Sequence, residues 1–298
     1  MSTTAATRVA EPSGSIAKTR RDRTHIVRGR VAVLLKYVSL CVGCLTAMVP
    51  ILVVFFTAFK TSAEFKSTEA FAPPRDWLNF ANFGEFFAKA HVPAALFNTA
   101  FIMVISIAGT VLIGSTAAYA LNRFEFKLKR LVVGLFLIAT LVPVITQQVA
   151  VFPLVVSLNL YDTRWSMIVL SVGTDIVSLY IFMQFMQGIP KELDEAAALD
   201  GANHVTIFAR IIFPLLKPAI ATVVIIKGVF IYNDFYTPYL YMPSLSVMST
   251  SLSRFRGPYG TRWELISAGV IVIIVPTLVL FLFLQRYIYN GFTSGSSK

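Results

Sequence analysis

Glu195-Ala196-Ala197-Ala198-Leu199-Asp200-Gly201-Ala202 opens a polar segment that continues through Ile207-Phe208 and Ile211-Ile212-Phe213-Pro214 to Pro218. It interrupts an otherwise mostly apolar chain, and its local rules are legible. Gly188 and Pro190 close the apolar run before it. Pro190 suits the start of a new helix, because a first-turn proline gives up no hydrogen bond. Glu192, Asp194 and Glu195 follow in the first turns, where carboxylates suit the positive helix end. Ala196, Ala197 and Ala198 extend the helix as strong helix formers. Gly201 permits a backbone turn that a side chain would resist. A second short helix is predicted from His204 to Phe213, with Pro214 and Pro218 breaking it. The product is a helix–turn–helix with a small-residue face, a knob that another helix or a cleft wall can approach closely.

Composition puts this knob on a membrane protein. Hydrophobic residues make up 56% of the chain and charged residues 14%, with a mean hydropathy of +0.71. A soluble domain cannot cover its surface with so few charges. The net charge of +11 comes from basic residues gathered at the N-terminus and in short loops. That pattern fits membrane topology and argues against nucleic-acid binding.

A bilayer core about 30 Å thick needs roughly 20 apolar residues per helix. Six segments qualify: Val33–Phe59, Phe97–Leu121, Leu131–Phe152, Trp165–Met186, Ala219–Tyr241 and Ile266–Ile288. They are long and lack strict alternation, which predicts an all-α, six-helix polytopic fold and not a barrel. Lys18, Arg20, Arg21, Arg23, Arg28 and Arg30 precede the first span, and Arg123, Lys127, Lys129 and Arg130 follow the second. Both groups are assigned to the cytoplasm. The 188–218 loop and both termini then fall inside as well. Arg254, Arg256 and Arg262 oppose this bias from the last outer loop; the N-terminal charges are taken to dominate. The expected organisation is a basic disordered tail (1–30), a first transmembrane helix (31–60), an extracytoplasmic loop (61–96), a five-helix core (97–290) and a short tail (291–298). The first apolar run is too long for a signal peptide and reads as an uncleaved anchor.

The polar segment resembles the E-A-A loop of ABC importer permeases, with its E-A-A-x-x-x-G, nine-residue spacer and I-x-L-P. Glu195, Ala196, Ala197, Asp200, Gly201, Ala202, Ile211, Pro214 and Pro218 sit at the family's offsets, and Phe213 stands where Leu is usual. Phe97-Asn98-Thr99, Ala118-Tyr119-Ala120-Leu121-Asn122-Arg123-Phe124, Leu160-Tyr161-Asp162-Thr163 and Tyr232-Asn233-Asp234-Phe235 are similar to the maltose and multiple-sugar class. So is Gln285-Arg286-Tyr287 through Asn290-Gly291, although the ending Ser296-Ser297-Lys298 departs from the class. The resemblance spans residues 75 to 291. It implies a bacterial inner-membrane permease that pairs with a second permease, two ATP-binding cassette subunits and an extracytoplasmic solute-binding protein, to import a di- or oligosaccharide. ATP and Mg would be bound by the ATPase subunits, with no cofactor in this chain. Glu195 inherits the family's pairing with a basic residue of the ATPase.

Ionisable and amide groups at bilayer depth invite a functional reading. Asp234 lies about fifteen residues, roughly 22 Å, into the fifth segment. Tyr232, Asn233 and Tyr236 surround it. This cluster either lines the translocation path, since Tyr and Asn suit sugars, or bridges helices. Gln147 and Gln148 follow Pro143, and they either contact sugar or satisfy carbonyls that the proline frees. Asp175 sits near the middle of the fourth segment. Cys41 and Cys44 have no His or third Cys nearby and read as small apolar residues, not as a metal site.

The chain has no G-x-x-x-x-G-K-[ST] phosphate loop and no nucleophile-elbow pattern, so it is not expected to be an enzyme. An ion-gradient-driven secondary transporter is the competing reading. It would need paired intramembrane charges and inverted repeats, and no internal repeat is visible.

Overall fold

Without water to bond the backbone, only structures that satisfy it internally can cross a bilayer. The computed structural model describes residues 15–173, 176–257 and 260–294, and these are helical almost throughout. Helix α1 (Ser15–Phe59) is followed by the short α2 (Ser62–Ser67) and α3 (Ala81–Lys89). Next comes α4 (Val92–Arg123), then α5 (Lys129–Leu141) and α6 (Val144–Ser157), then α7 (Arg164–Gly173) and α8 (Ile176–Gln187). Helices α9 (Glu192–Leu199) and α10 (His204–Ile207) lead through a π turn (Phe208–Ile212) and α11 (Phe213–Leu215) into α12 (Lys217–Asn233). The chain ends with α13 (Tyr236–Tyr241), a 3-10 turn (Ser251–Phe255), a hairpin and α14 (Trp263–Ser294). In the hairpin, β1 (Arg256–Gly257) pairs antiparallel with β2 (Gly260–Thr261).

The central element is α4, which packs on α7 and α8 along one side, on α12 along another and on α3 near its start. The approach to α7 and α8 is close because of two glycines. A Cβ on Gly109 would stand 2.8 Å from Val172 Cγ2, and one on Gly114 would stand 3.2 Å from Phe182 Cδ2. Small residues at such crossings let membrane helices gain van der Waals contact. Toward Arg123, an apolar cluster joins Val111, Ala118 and Leu121 of α4 to Leu179, Phe182 and Met186 of α8, with Ile207, Ile212 and Val223. Toward Val92, another joins Ile102, Met167, Ile168, Ile231, Met242 and Val247. Buried Ser106, Thr110, Ser178 and Lys227 lie between the two along their helices. Helix α14 packs on α1, α3 and α12. The residues of α1 from 33 to 52 are all exposed, a surface left for lipid or another subunit.

All six expected apolar segments fall on helices, but three are interrupted. Among the described residues, Val33–Phe59 and Val92–Arg123 are by themselves long and apolar enough to cross a membrane; counting each bent helix pair as one span raises the number to five. The segment expected at Leu131–Phe152 bends by 108° between Lys129–Leu141 and Ile145–Ser157, at Pro143. Arg164–Val172 and Ile176–Gln187 meet at 41°. The segment expected at Ala219–Tyr241 breaks at Asp234 and Phe235. Pro238 is the cause, because its ring excludes the helical bond to the carbonyl four residues back. Helix α1 begins at Ser15, so residues 15–30 are helical where a disordered tail was expected. Arg, Lys and Ala are good helix formers, and propagating an existing helix adds one bond per residue.

Candidate functional site

The 188–218 segment forms the expected helix–turn–helix, and its turn is closed by backbone chemistry. Gly201 has φ +86. Its amide donates to Ala198 O at 3.0 Å, and the Ala202 amide donates to Ala197 O at 3.0 Å. This is a Schellman closure of α9. Asn203 then caps α10, its Oδ1 accepting from the Thr206 amide at 2.8 Å. Glu195, Ala196, Ala197, Asp200, Gly201 and Ala202 are thus brought together on α9 and its turn. Ala197 is buried, Ala202 half-buried and the other four exposed. Pro214 lies beyond the π turn on α11, exposed and apart from them. Ile207, Ile212 and Leu216 root the segment in the apolar cluster. Leu199 (89% exposed) and Val205 (76% exposed) project on either side of the turn. Both are large apolar side chains with no cover inside the chain.

An ion pair that the sequence reading did not foresee fixes the knob to α4. Arg123, at the negative C-terminal end of α4, reaches Asp194 in the first turn of α9: Nε lies 3.0 Å from Oδ2. The side chains are only 7% and 16% exposed. Arg123 also donates to Ile189 O at 3.0 Å, and Tyr119 OH donates to Asp194 Oδ1 at 3.2 Å. One guanidinium therefore holds the end of α4, the 188–190 turn and α9. Tyr119 also packs on Phe208 (5.3 Å) and Phe124, and Phe124 packs on His204 (5.0 Å), so both arms of the knob are gripped.

The expected path residues do not form one cluster. Tyr232 donates to Ile273 O at 2.6 Å and ties α12 to α14. Asp234 Oδ1 accepts from the Thr237 amide at 3.1 Å, capping α13, while Asp234 O, freed by Pro238, accepts from Ser249 Oγ at 2.6 Å. Both groups bridge structural elements. Asn233 bonds Val229 O of its own helix at 2.9 Å; it and Tyr236 are exposed. Gln147 donates to Ala139 O at 3.2 Å and Val142 O at 3.0 Å, the first being the carbonyl that Pro143 leaves free. Gln148 accepts from Tyr241 OH, linking α6 to α13.

Lys227 is a further buried ion, 8% exposed and ten residues into α12, with its ammonium 5.9 Å from the centre of the Phe230 ring. A search for acidic residues passes it over, yet a cation at that depth is the kind of residue that marks function. Asp175 and Ser296–Lys298 lie outside the described residues. Cys41 and Cys44 are free and exposed, and no metal-ligating group of His, Cys, Asp and Glu occurs among the described residues.

Residues 110–293 match the family described as binding-protein-dependent transport system inner membrane component. The chain is 32% identical over 254 residues to the melibiose/raffinose/stachyose import permease protein MelC of Bacillus subtilis, covering 84% of this chain and 91% of that one. It is 31% identical over 262 residues to the trehalose transport system permease protein SugB of Mycobacterium tuberculosis, covering 85% and 93%. Its fold is similar to that of a chain from a bacterial ABC transporter involved in the import of the acidic polysaccharide alginate, with TM-score 0.73 and 20% identity over 87% of this chain and 96% of that one. An exposed helix–turn–helix on a bundle of apolar helices is therefore set in a known frame: the chain belongs to the binding-protein-dependent transport system inner membrane component family, the permeases of ABC importers.

Proposed function

We propose that this chain is the permease subunit of an ATP-driven importer of a di- or oligosaccharide, with the α9–α10 knob facing the cytoplasm and docking on a separate ATPase subunit. The observation that carries the reading is the knob itself. Its inner face is rooted in the core, its outer face presents Leu199, Val205, Glu195 and Asp200, and it lies within the matched family segment. The relatives' sugars support a carbohydrate substrate.

The partners follow from the chemistry that the chain lacks. It carries no phosphate-cradling loop, so ATP and Mg belong to two cassette subunits. A second permease completes the path, and an extracytoplasmic binding protein delivers the sugar. Closure of the ATPase pair moves the knob, and the permeases rock between inward- and outward-facing states. Glu195, exposed on α9, pairs with a basic group of the ATPase. Asn233 and Tyr236 are the path candidates whose side chains remain exposed.

The test is gentle purification of the tagged chain from its native membrane, then sugar-dependent ATP turnover with Glu195→Ala and Gly201→Ala. Co-purification of a second permease and an ATPase, with turnover reduced in both variants, is expected. Unchanged sugar-dependent turnover in both would refute the coupling role.

A further inference from the structure

The knob and the 242–262 loop are tied to opposite ends of one helix. We propose that α4 is the rigid member that carries movement of the knob to that loop on the other face, with Arg123 and Tyr119 as positioning residues at one end and Asn98 and Thr99 at the other. The inference rests on the importer reading above and adds the route of coupling.

The inner clamp is the Arg123–Asp194 ion pair at 3.0 Å, the Arg123 bond to Ile189 O and the Tyr119 bond to Asp194. The outer clamp is as specific. Asn98 Nδ2 donates to Ser246 O at 2.9 Å, and Thr99 Oγ1 accepts from the Met248 amide at 2.9 Å. Asn98 Oδ1 in turn accepts from Arg164 Nε at 2.7 Å, which fixes the amide's orientation. Asn98 and Thr99 are 4% and 5% exposed, so water does not compete for these bonds. From Asn98 to Arg123 the helix spans roughly 37 Å at 1.5 Å per residue.

What lies between the clamps is stiff. Helix α4 runs unbroken, and Pro93, its one proline, sits in its first turn. Two of the routes packed on it are bent: α7 and α8 meet at 41°, and the knob's His204–Leu215 meets α12 at 72°. A displacement of the knob is absorbed by bends in those elements, but α4 has no bend to absorb it. Coupling between distant sites needs such a physical member, biased from both ends.

The test uses the whole complex purified from its membrane, with MgATP and vanadate as the probe, so the sugar's identity does not matter. Hydrogen exchange is followed in peptides covering 199–205 and 242–255. In the wild type, trapping is expected to shift exchange at least threefold in both. Arg123→Gln and Asn98→Ala should keep the 199–205 response and lose most of the 242–255 response. Their double variant should be no worse than either alone, because the clamps act in series. Exchanging the charges, Arg123→Asp with Asp194→Arg, should restore at least half of the response. A 242–255 response that persists in both single variants would overturn the proposal, as would loss of both responses that charge exchange fails to restore. A wild-type complex with no response at 199–205 would instead remove the importer reading beneath it.

Discussion

Gly201→Ala isolates the backbone requirement of the α9–α10 knob. Gly201 sits at φ +86, and a Cβ built there meets nothing within 4 Å. The substitution therefore causes no clash, and its cost is the left-handed conformation itself, about 1–2 kcal/mol for an ordinary L residue. Such a cost shifts a local equilibrium by a factor of about 5–30. The Schellman bonds from Gly201 and Ala202 depend on that conformation. A knob in its docking shape only part of the time binds with an affinity reduced by that fraction. Gly201→Ala should therefore weaken ATPase retention by up to about 5–30-fold, with little change in thermal unfolding of the membrane core. Asn adopts left-handed backbone far more readily, so Gly201→Asn should recover most of the loss. The assay titrates purified ATPase subunit onto the chain in nanodiscs. Wild-type affinity in Gly201→Ala would refute the reasoning. Equal losses in the Ala and Asn variants would transfer the effect from backbone conformation to side-chain bulk at the tip.

Three further outcomes follow from the same structure. Asp234→Asn keeps an acceptor for the Thr237 amide and should retain both stability and uptake, whereas Asp234→Ala loses the cap and about 0.5–2 kcal/mol, read by thermal unfolding; full loss of uptake in the stable Asn variant would move Asp234 from bridge to path. Gly269→Ala drives a Cβ into the Phe86 ring and places it 2.6 Å from Leu252 Cδ2, so it should force α14 off α3 and cost about 1–3 kcal/mol; an unchanged melting temperature would contradict that packing. At Glu85, the Lys89 hydrogen bond at 2.7 Å and nearby Arg262 hold the carboxyl below its usual value. Its contribution is present above the usual carboxylate pKa and is lost as pH falls through the lower folded value, so Glu85→Gln should flatten the acid limb of the stability curve. Identical acid limbs would show that Glu85 contributes nothing there.

The knob was legible because each of its features acts locally. Pro190, the acidic first turn, the alanine run and Gly201 need only their neighbours to shape the backbone. The Arg123–Asp194–Tyr119 clamp was not, since Tyr119 and Asp194 stand 75 residues apart and nothing in either local sequence names the other. Arg123 counts as a topology charge until the fold brings it to α9. Asp234 was legible only as two alternatives, a path group or a bridge between helices. Counted along a continuous span it looks like a charge deep in the membrane, but Pro238 four residues later signals the break that turns it into a cap. Pro143 gave the same signal more plainly, and Gln147 sits where the freed Ala139 carbonyl needs a donor. The wide exposure of α1 follows from apolar composition, which fixes that a surface is greasy and leaves open what covers it.

The central claim is that the exposed face of the α9–α10 knob touches an ATPase subunit, and site-directed cross-linking tests it most directly. Cysteines placed singly at Leu199 and Val205, in a chain with Cys41 and Cys44 replaced, should cross-link to the ATPase in native membranes, with yields that change on adding ATP. Leu78→Cys, exposed in the 61–96 loop, should give no such product. ATP-dependent uptake that continues with no cross-link from either knob position, or with one from Leu78→Cys instead, would contradict the claim.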